Sequence, residues 1–551
     1  MENIDKAEGQ QRSHRRPGPG PPRTFREHFF HSLPDYSGPY SVGTMDIEMP
    51  VRSPRTFSHI KRNHSHVLRM DTVLLSLYYP CELSSNDATA NRPSRATWLP
   101  RPRASTSATT MFTKLPAFRN AKLAGARRDG ADVPAGNQDR SLPDGKDEPV
   151  FPVVIFSHGL GGTRTCYSAV CGEMASNGVI VAAIEHRDRS GARSYVNLPV
   201  DDPLPGEDTS VGAKRSRSYR VDYLFPKNNP LDTSPHNAQG VDVQLREAQI
   251  EMRMAEIEEA YHVLRLINEG RGGLGSSSKG LDGIDWFNWK GRILLRHVTA
   301  MGHSFGGATT AQVVRQKGRF DWIGQGIIVD AWGLAMPESK GPVHEPLQKP
   351  LLVINSEAFT HWSDNFQRLV AMCEEAERNN SPCWMLTIKG STHLSMSDFA
   401  VLYPRWMSIF MKTMVHPRRA IHLTVNTSLE FLKKVLPPEE TSRSEWPNEG
   451  ILTTESLASK ALPEVHKPAN KWMAVRLKIH GELALRLKKR LRRKPRAPKT
   501  ATDIHGNPLV GLVNIRPGNE VWMHYPHTEG SEEAIGRKRK TSKVKLPDKT
   551  K

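Results

Sequence analysis

The chain has 551 residues, 37% of them apolar, and a formal net charge of +19; this allows one large domain with extensions, or two or three ordinary ones, but is too polar for a chain packed throughout. The charge does not make the whole a nucleic-acid binder, because 23 Lys and Arg against 8 Asp and Glu fall in residues 460–551, leaving the body nearly neutral. No run approaches the ~18 apolar residues of a membrane span, and five scattered cysteines with no CxxC or Cys/His cluster exclude a disulfide framework and a zinc site.

Residues 1–34, rich in Pro, Gly and Arg, read as disordered. The start, MENIDKAEGQ, lacks the apolar core of a secretory signal, carries acids foreign to a transit peptide, and lacks the glycine that myristoylation requires. A cytoplasmic protein, or one resting on a membrane surface, is the expectation. A catalytic domain is expected over 35–437. It opens with SGPYSVGTMDIEMP and TVLLSLYYPC, two strands of an edge hairpin. Residues 84–147 read as a polar insertion with at most a short helix. A β-branched strand then feeds the glycine turn SHGLGG (157–162), residues 165–177 read as a helix, and GVIVAAI begins a second buried strand.

Residues 190–238 read as a lid-like loop. VQLREAQIEMRMAEIEEAYHVLRLIN (243–268) is a strong helix, with apolar residues three and four apart and no Gly or Pro. Further on, ILLRHVTAMGHS (293–304) runs as a strand into a turn and a helix over 306–316. Strands follow near 326–332, 350–357 and 384–390, with helices near 363–377 and up to 436. Apolar strands alternating with helices predict an α/β fold, a mostly parallel sheet covered on both faces. In such sheets chemistry sits at the carboxyl ends of the strands.

There GHSFGG places Ser304 between a strand and a helix, flanked by Gly302, Gly306 and Gly307. So tight a turn admits only small neighbours and lifts the hydroxyl to a helix N-terminus, as a nucleophile requires. A serine needs a base, and the base needs a partner. His393, in the loop after the last strand, is placed to serve; His344, His361, His416 and His422 are not. His303, inside the turn, is expected to point into the scaffold. For the acid, Asp330 and Glu357 each end a strand, and the pattern alone leaves them nearly even. An oxyanion hole needs backbone N–H groups; Phe305, after the serine, and Leu160, in the SHGLGG turn, supply two candidates. No carboxylate or histidine cluster invites a metal, and no cofactor is expected.

Taken in order, FSHGLGG (156–162), AAIEHRDRS (182–190), GHSFGGAT (302–309), GIIVDAW (326–332), LLVINSE (351–357) and GSTH (390–393) resemble the platelet-activating factor acetylhydrolases of the plasma and type II intracellular kind. The resemblance covers about 35–415 and implies an α/β-hydrolase fold. It implies calcium-independent, phospholipase A2-type removal of short or oxidised sn-2 acyl groups from phospholipids. It makes Ser304 the nucleophile, His393 the base, Asp330 rather than Glu357 the acid, and Phe305 and Leu160 the oxyanion donors. Glu185, Arg187 and Asp188 of EHRDRS become an ionic brace for the site.

Residues 438–551 read as a basic, largely disordered tail. Within it, Trp472, Val475, Ile479, Leu483 and Leu487 can line one helical face among basic residues of 471–494, suited to transient contact with anionic lipid. GRKRK (536–540) has the composition of an import signal, common in disordered tails. Nothing has the aromatic interleaving of a single-strand binder, and no nucleic-acid partner is expected. Two rivals remain: a general carboxylesterase or lipase, and an inactive hydrolase fold binding membranes or nucleic acid through its tail. The full set of serine, acid, histidine and glycine turn counts against the last.

Overall fold

The computed structural model describes residues 33, 35–62, 64–81, 95–98, 122–128, 149–198, 218–273, 281, 284–337, 345–441, 446–456, 477 and 520–526. Among these residues eleven strands form one sheet: β1 (Ser41–Thr56), β2 (Arg69–Cys81), β3 (Arg95–Thr97), β4 (Lys122–Arg128), β5 (Phe151–Ser157), β6 (Ile180–Ile184), β7 (Ile293–His303), β8 (Ile323–Val329), β9 (Leu351–Ser356), β10 (Cys383–Ile388) and β11 (Val521–Tyr525). Their spatial order is β11-β10-β9-β8-β7-β5-β6-β2-β1-β4-β3. The six neighbours from β10 to β6 run parallel, with β11 and β2 antiparallel on either side.

The central strands are apolar throughout because both of their faces are covered. In β5, Val153 and Ile155 join one core while Val154 and Phe156 join the other, and β6 and β9 alternate likewise. One core is closed by α2 (Val243–Asn268), α3 (Phe305–Arg315) and α4 (Ser363–Arg378). The opposite core is closed by α1 (Ser168–Ser176) and α5 (Pro417–Val435). The connection from β5 runs to β6 on one side, and the connection from β7 runs to β8 on the other. The crevice at that reversal, above the carboxyl ends of β5 and β7, is where open α/β sheets bind ligands.

The expected α/β fold is present, with corrections at its margins. The β1–β2 hairpin does not lie at an edge: β4 pairs in parallel with β1, and β3 pairs antiparallel with β4. Both outer strands come from the insertion 84–147, which was expected to hold no strand. Ladder bonds are made by the backbone, so a polar segment can extend an open edge without an apolar pattern. In the lid-like stretch 190–238, Ser194–Asn197 pairs antiparallel with Ser218–Val221. The tail contributes β11, whose VWMHY packs Val521 and Met523 into the core. The predicted strand over 326–332 stops at Val329, because Asp330 turns to a φ of +46°.

Of the N-terminal segment 1–34 only Leu33 is described, and it is buried in the core. Apart from Leu477, the stretch 471–494 lies outside the described residues, as does 536–540. No described helix is long and apolar enough to cross a membrane.

Candidate active site

Ser304 stands between β7 and α3 at φ +59° and ψ −118°, a left-handed conformation that strains any L-residue by about 1–3 kcal/mol. The surroundings hold it there. Its N–H donates to Val329 O at 3.0 Å, and its carbonyl accepts from the N–H groups of Ala308 and Trp332, both at 3.1 Å. The two flanking glycines are required by close approach. A Cβ on Gly302 would meet Gly306 O at 2.1 Å, and one on Gly306 would meet Ser157 O at 2.0 Å. The tip of β5 therefore touches the start of α3, which brings the SHGLGG turn beside the serine. A Cβ on Gly159 would lie 2.8 Å from Ser304 Cβ.

His393 Nε2 lies 2.9 Å from Ser304 Oγ, and its Nδ1 lies 2.6 Å from Asp330 Oδ2. Asp330 is fully buried just past β8. Ser356 N donates to its Oδ1 at 2.6 Å and Ser356 Oγ to its Oδ2 at 2.8 Å, so the carboxylate's orientation is set from β9. The bond to Nδ1 leaves Nε2 free to accept from the serine. The His393 ring is stacked on Phe359 at 4.3 Å and has the His303 ring 4.5 Å from it. Its loop is closed by Thr392 N donating to Ser395 Oγ at 2.9 Å. Glu357, the other acid the pattern allowed, does not pair with the histidine in this way. Its Oε2 accepts from Gly390 N at 2.5 Å, at the turn that leads into the His393 loop.

This relay, with the serine after β7, the aspartate after β8 and the histidine after β10, accompanies a clear relationship by sequence. Residues 27–452 match the family described as platelet-activating factor acetylhydrolase, isoform II. The chain belongs to that family. It is 33% identical over 288 residues to a platelet-activating factor acetylhydrolase of Gallus gallus, covering 52% of this chain and 62% of that relative. It is 29% identical over 408 residues to the Cavia porcellus protein of the same name, covering 74% and 78%. A putative phospholipase A2 of Schizosaccharomyces pombe is 27% identical over 444 residues, covering 73% and 92%.

Around the triad-like core of this family member lies a set of buried groups that the sequence pattern did not reveal. Along one face of α2, Arg246, Gln249, Arg253 and Glu256 are all buried, although the helix reads as simply amphipathic. Arg253 donates to Asp188 Oδ2 at 2.7 Å, to Ser190 Oγ at 2.6 Å and to His158 O at 2.7 Å. Its guanidinium also lies 4.5 Å from the centre of the Phe305 ring. One cation thus grips both the SHGLGG turn and the side chain after the nucleophile. Arg246 makes a two-pronged pair with Asp232, at 2.8 and 2.9 Å, within the lid-like stretch. The spacing i, i+3, i+7, i+10 of polar residues was the available signal: it puts all four on one stripe.

EHRDRS supplies the partners. Glu185 pairs with Arg164 at 3.2 Å, Arg187 with Glu48 at 2.7 Å and Asp188 with Arg253. His186 bridges Ser157 Oγ at 2.7 Å and Glu256 at 2.5 Å. Burial holds the pKa of His186 well below its ordinary value and pushes that of Glu256 up to about 8. His158 accepts from His186 N through Nε2 at 3.1 Å, so its Nδ1 donates to Gly159 O at 2.8 Å. Burial, with the Arg253 charge beside it, lowers its pKa to about 4 and keeps it neutral.

Proposed function

We propose that this protein is a serine-dependent, calcium-independent acylhydrolase that releases short or oxidised sn-2 acyl groups from phospholipids. The observation that carries the reading is the relay of 2.9 and 2.6 Å from Ser304 through His393 to the buried Asp330. Ser304 Oγ attacks the ester carbonyl while His393 Nε2 takes its proton, and Asp330 stabilises the imidazolium. The oxyanion is received by the N–H groups of Phe305, at the α3 N-terminus, and Leu160, in the turn beside the serine. His393 then protonates the leaving lysophospholipid oxygen. Water, deprotonated by the same nitrogen, cleaves the acyl-enzyme and frees the acid. Water is the only co-reactant this sequence consumes.

The chemistry is common to all acyl esters, so the substrate rests on the names of the relatives and needs its own test. Wild type and Ser304→Ala are assayed on two phosphatidylcholines, one with an sn-2 acetyl group and one with a long sn-2 chain, and on a simple aryl ester. The expected result is preferential release of acetate, lost in the variant. Serine-dependent turnover of the aryl ester alone would make the protein a general carboxylesterase. No serine-dependent turnover would favour a tail-driven binding protein.

Contact with an anionic membrane surface through residues 471–494 belongs to the same proposal. Leu477 of this stretch donates its N–H to Met411 O at 3.1 Å, next in sequence to the exposed Ile409 and Phe410. We further place the protein in a reducing, cytoplasmic setting. All five cysteines are buried free thiols, and recovery of the native protein with the membrane-free lumenal or secreted fraction would refute that placement.

A further inference from the structure

We propose that Tyr167 and His303 are positioning residues that tie the Gly159 turn to the backbone of His393, holding the oxyanion loop and the general base at one spacing. The inference rests on the acylhydrolase reading of Ser304, His393 and Asp330. His303 ends β7 immediately before the nucleophile, and Tyr167 precedes α1; both are buried. His303 Nε2 lies 3.1 Å from His393 O, and its Nδ1 lies 2.9 Å from Tyr167 Oη. Gly159 N donates to the same Tyr167 oxygen at 3.3 Å.

The directions of these bonds follow from the end groups. A carbonyl only accepts, so His303 Nε2 carries the hydrogen given to His393 O. Nδ1 is then the acceptor, and Tyr167 must donate to it. The tyrosine oxygen in turn accepts from Gly159 N–H. Three bonds thus run in one sense, from the turn that carries Leu160 to the main chain of the base, and each polarises the next. Both middle groups stay neutral, since burial raises the tyrosine pKa and holds the imidazole well below its ordinary value, with His393 adding to the latter.

Each end of the chain abuts the reacting groups. Gly159 is packed against Ser304 Cβ, and His393 Nε2 is 2.9 Å from Ser304 Oγ. The rings reinforce the connection, with centroids 5.3 Å apart between Tyr167 and His303 and 4.5 Å between His303 and His393. The four residues come from three places: Gly159 and Tyr167 from the connection between β5 and α1, His303 from the end of β7, and His393 from the loop after β10. The oxyanion loop and the base thus stand on different elements. A displacement of about 1 Å between such groups can cost 10²-fold in rate.

Tyr167→Phe deletes one oxygen from this chain, and His303→Gln keeps an amide donor while removing the imidazole. Both, and the double variant, are assayed on the best ester found for wild type, with Ser304→Ala as the blank and Tm as the measure of folding. The expected result is a kcat lowered about tenfold in each single variant with KM changed less than twofold. The double variant is expected to be no slower than the slower single one, because either change breaks the same chain. A Tyr167→Phe kcat within twofold of wild type overturns the inference, as does a loss confined to KM or a multiplicative double variant. Should Tyr167→Phe fail to fold, His303→Gln carries the same kcat-against-KM test. Wild type lacking serine-dependent turnover would overturn the acylhydrolase reading itself. Active wild type with an unaffected Tyr167→Phe overturns this inference alone.

Discussion

Two non-glycine residues with left-handed backbones, Ser304 at φ +59° and Asp330 at φ +46°, stand at the centre of the site. Each leaves a parallel strand and turns sharply, which lifts its side chain above the sheet. Burial of neutral imidazoles is the second residue-scale theme. His524 lies in β11 with Nε2 2.8 Å from Thr387 Oγ1, and burial lowers its pKa to about 4. The unfolded chain, with an ordinary histidine pKa near 6.5, then binds a proton that the native state refuses. Stability from this group is complete above about pH 6.5 and is lost as the pH falls towards 4. At pH 5 the loss is about 2 kcal/mol for such a shift. His524→Gln is therefore expected to lose less stability than wild type between pH 7 and pH 5 in urea unfolding. Equal losses in the two proteins would refute the assignment.

At the scale of elements, α2 does more than cover the sheet. Its polar stripe reaches through the core to hold the loop after β6 and the turn after β5. Arg253 is the centre of that grip, with Asp188, Ser190 and His158 O as acceptors. Lysine has one compact ammonium and cannot span three acceptors fixed in a fork geometry. Removing the cation outright leaves Asp188 buried without it, a change that costs about 3–5 kcal/mol. Arg253→Met is expected to destabilise by that amount in chemical unfolding, and Arg253→Lys by less, both with reduced ester turnover. Arg52→Ala, which removes a half-exposed partner of Glu259, serves as the comparison. An Arg253→Met loss no larger than that of Arg52→Ala would show the brace to be dispensable.

For the whole molecule, the instructive feature is where the basic tail begins and where the domain ends. Ser456 bridges to Met523 of β11, and Glu520 O accepts from Lys389 N at 2.9 Å. Arg419 pairs with both Glu449 and Glu520, at 2.5 and 2.6 Å. The tail thus returns to the sheet and covers the edge of β10, the strand that leads to His393. Deleting everything after residue 460 would strip that edge along with the basic stretch. The membrane contact is better tested by replacing residues 478–519 with a Gly/Ser linker of equal length, which spares β11 and Leu477. Such a variant is expected to keep its Tm and to bind anionic vesicles more weakly in co-sedimentation. Unchanged binding would refute the lipid contact.

The α/β layering, the helix over Val243–Asn268 and the placement of Ser304 and His393 at strand ends were legible in the sequence. They rest on short-range physics: apolar runs, helical periodicity and glycines that admit a tight turn all act within a few neighbouring residues. Between Asp330 and Glu357 the pattern stood even, and the resemblance to a known family favoured Asp330. Only the folded chain shows why Glu357 does not pair with His393 as Asp330 does: its carboxylate is engaged by the backbone of Gly390. The buried stripe of α2, the strands from the insertion, β11 and the Tyr167–His303 chain also emerged only in three dimensions. Their partners lie tens to hundreds of residues away, and ladder bonds or buried ion pairs leave no local periodicity by which one end announces the other.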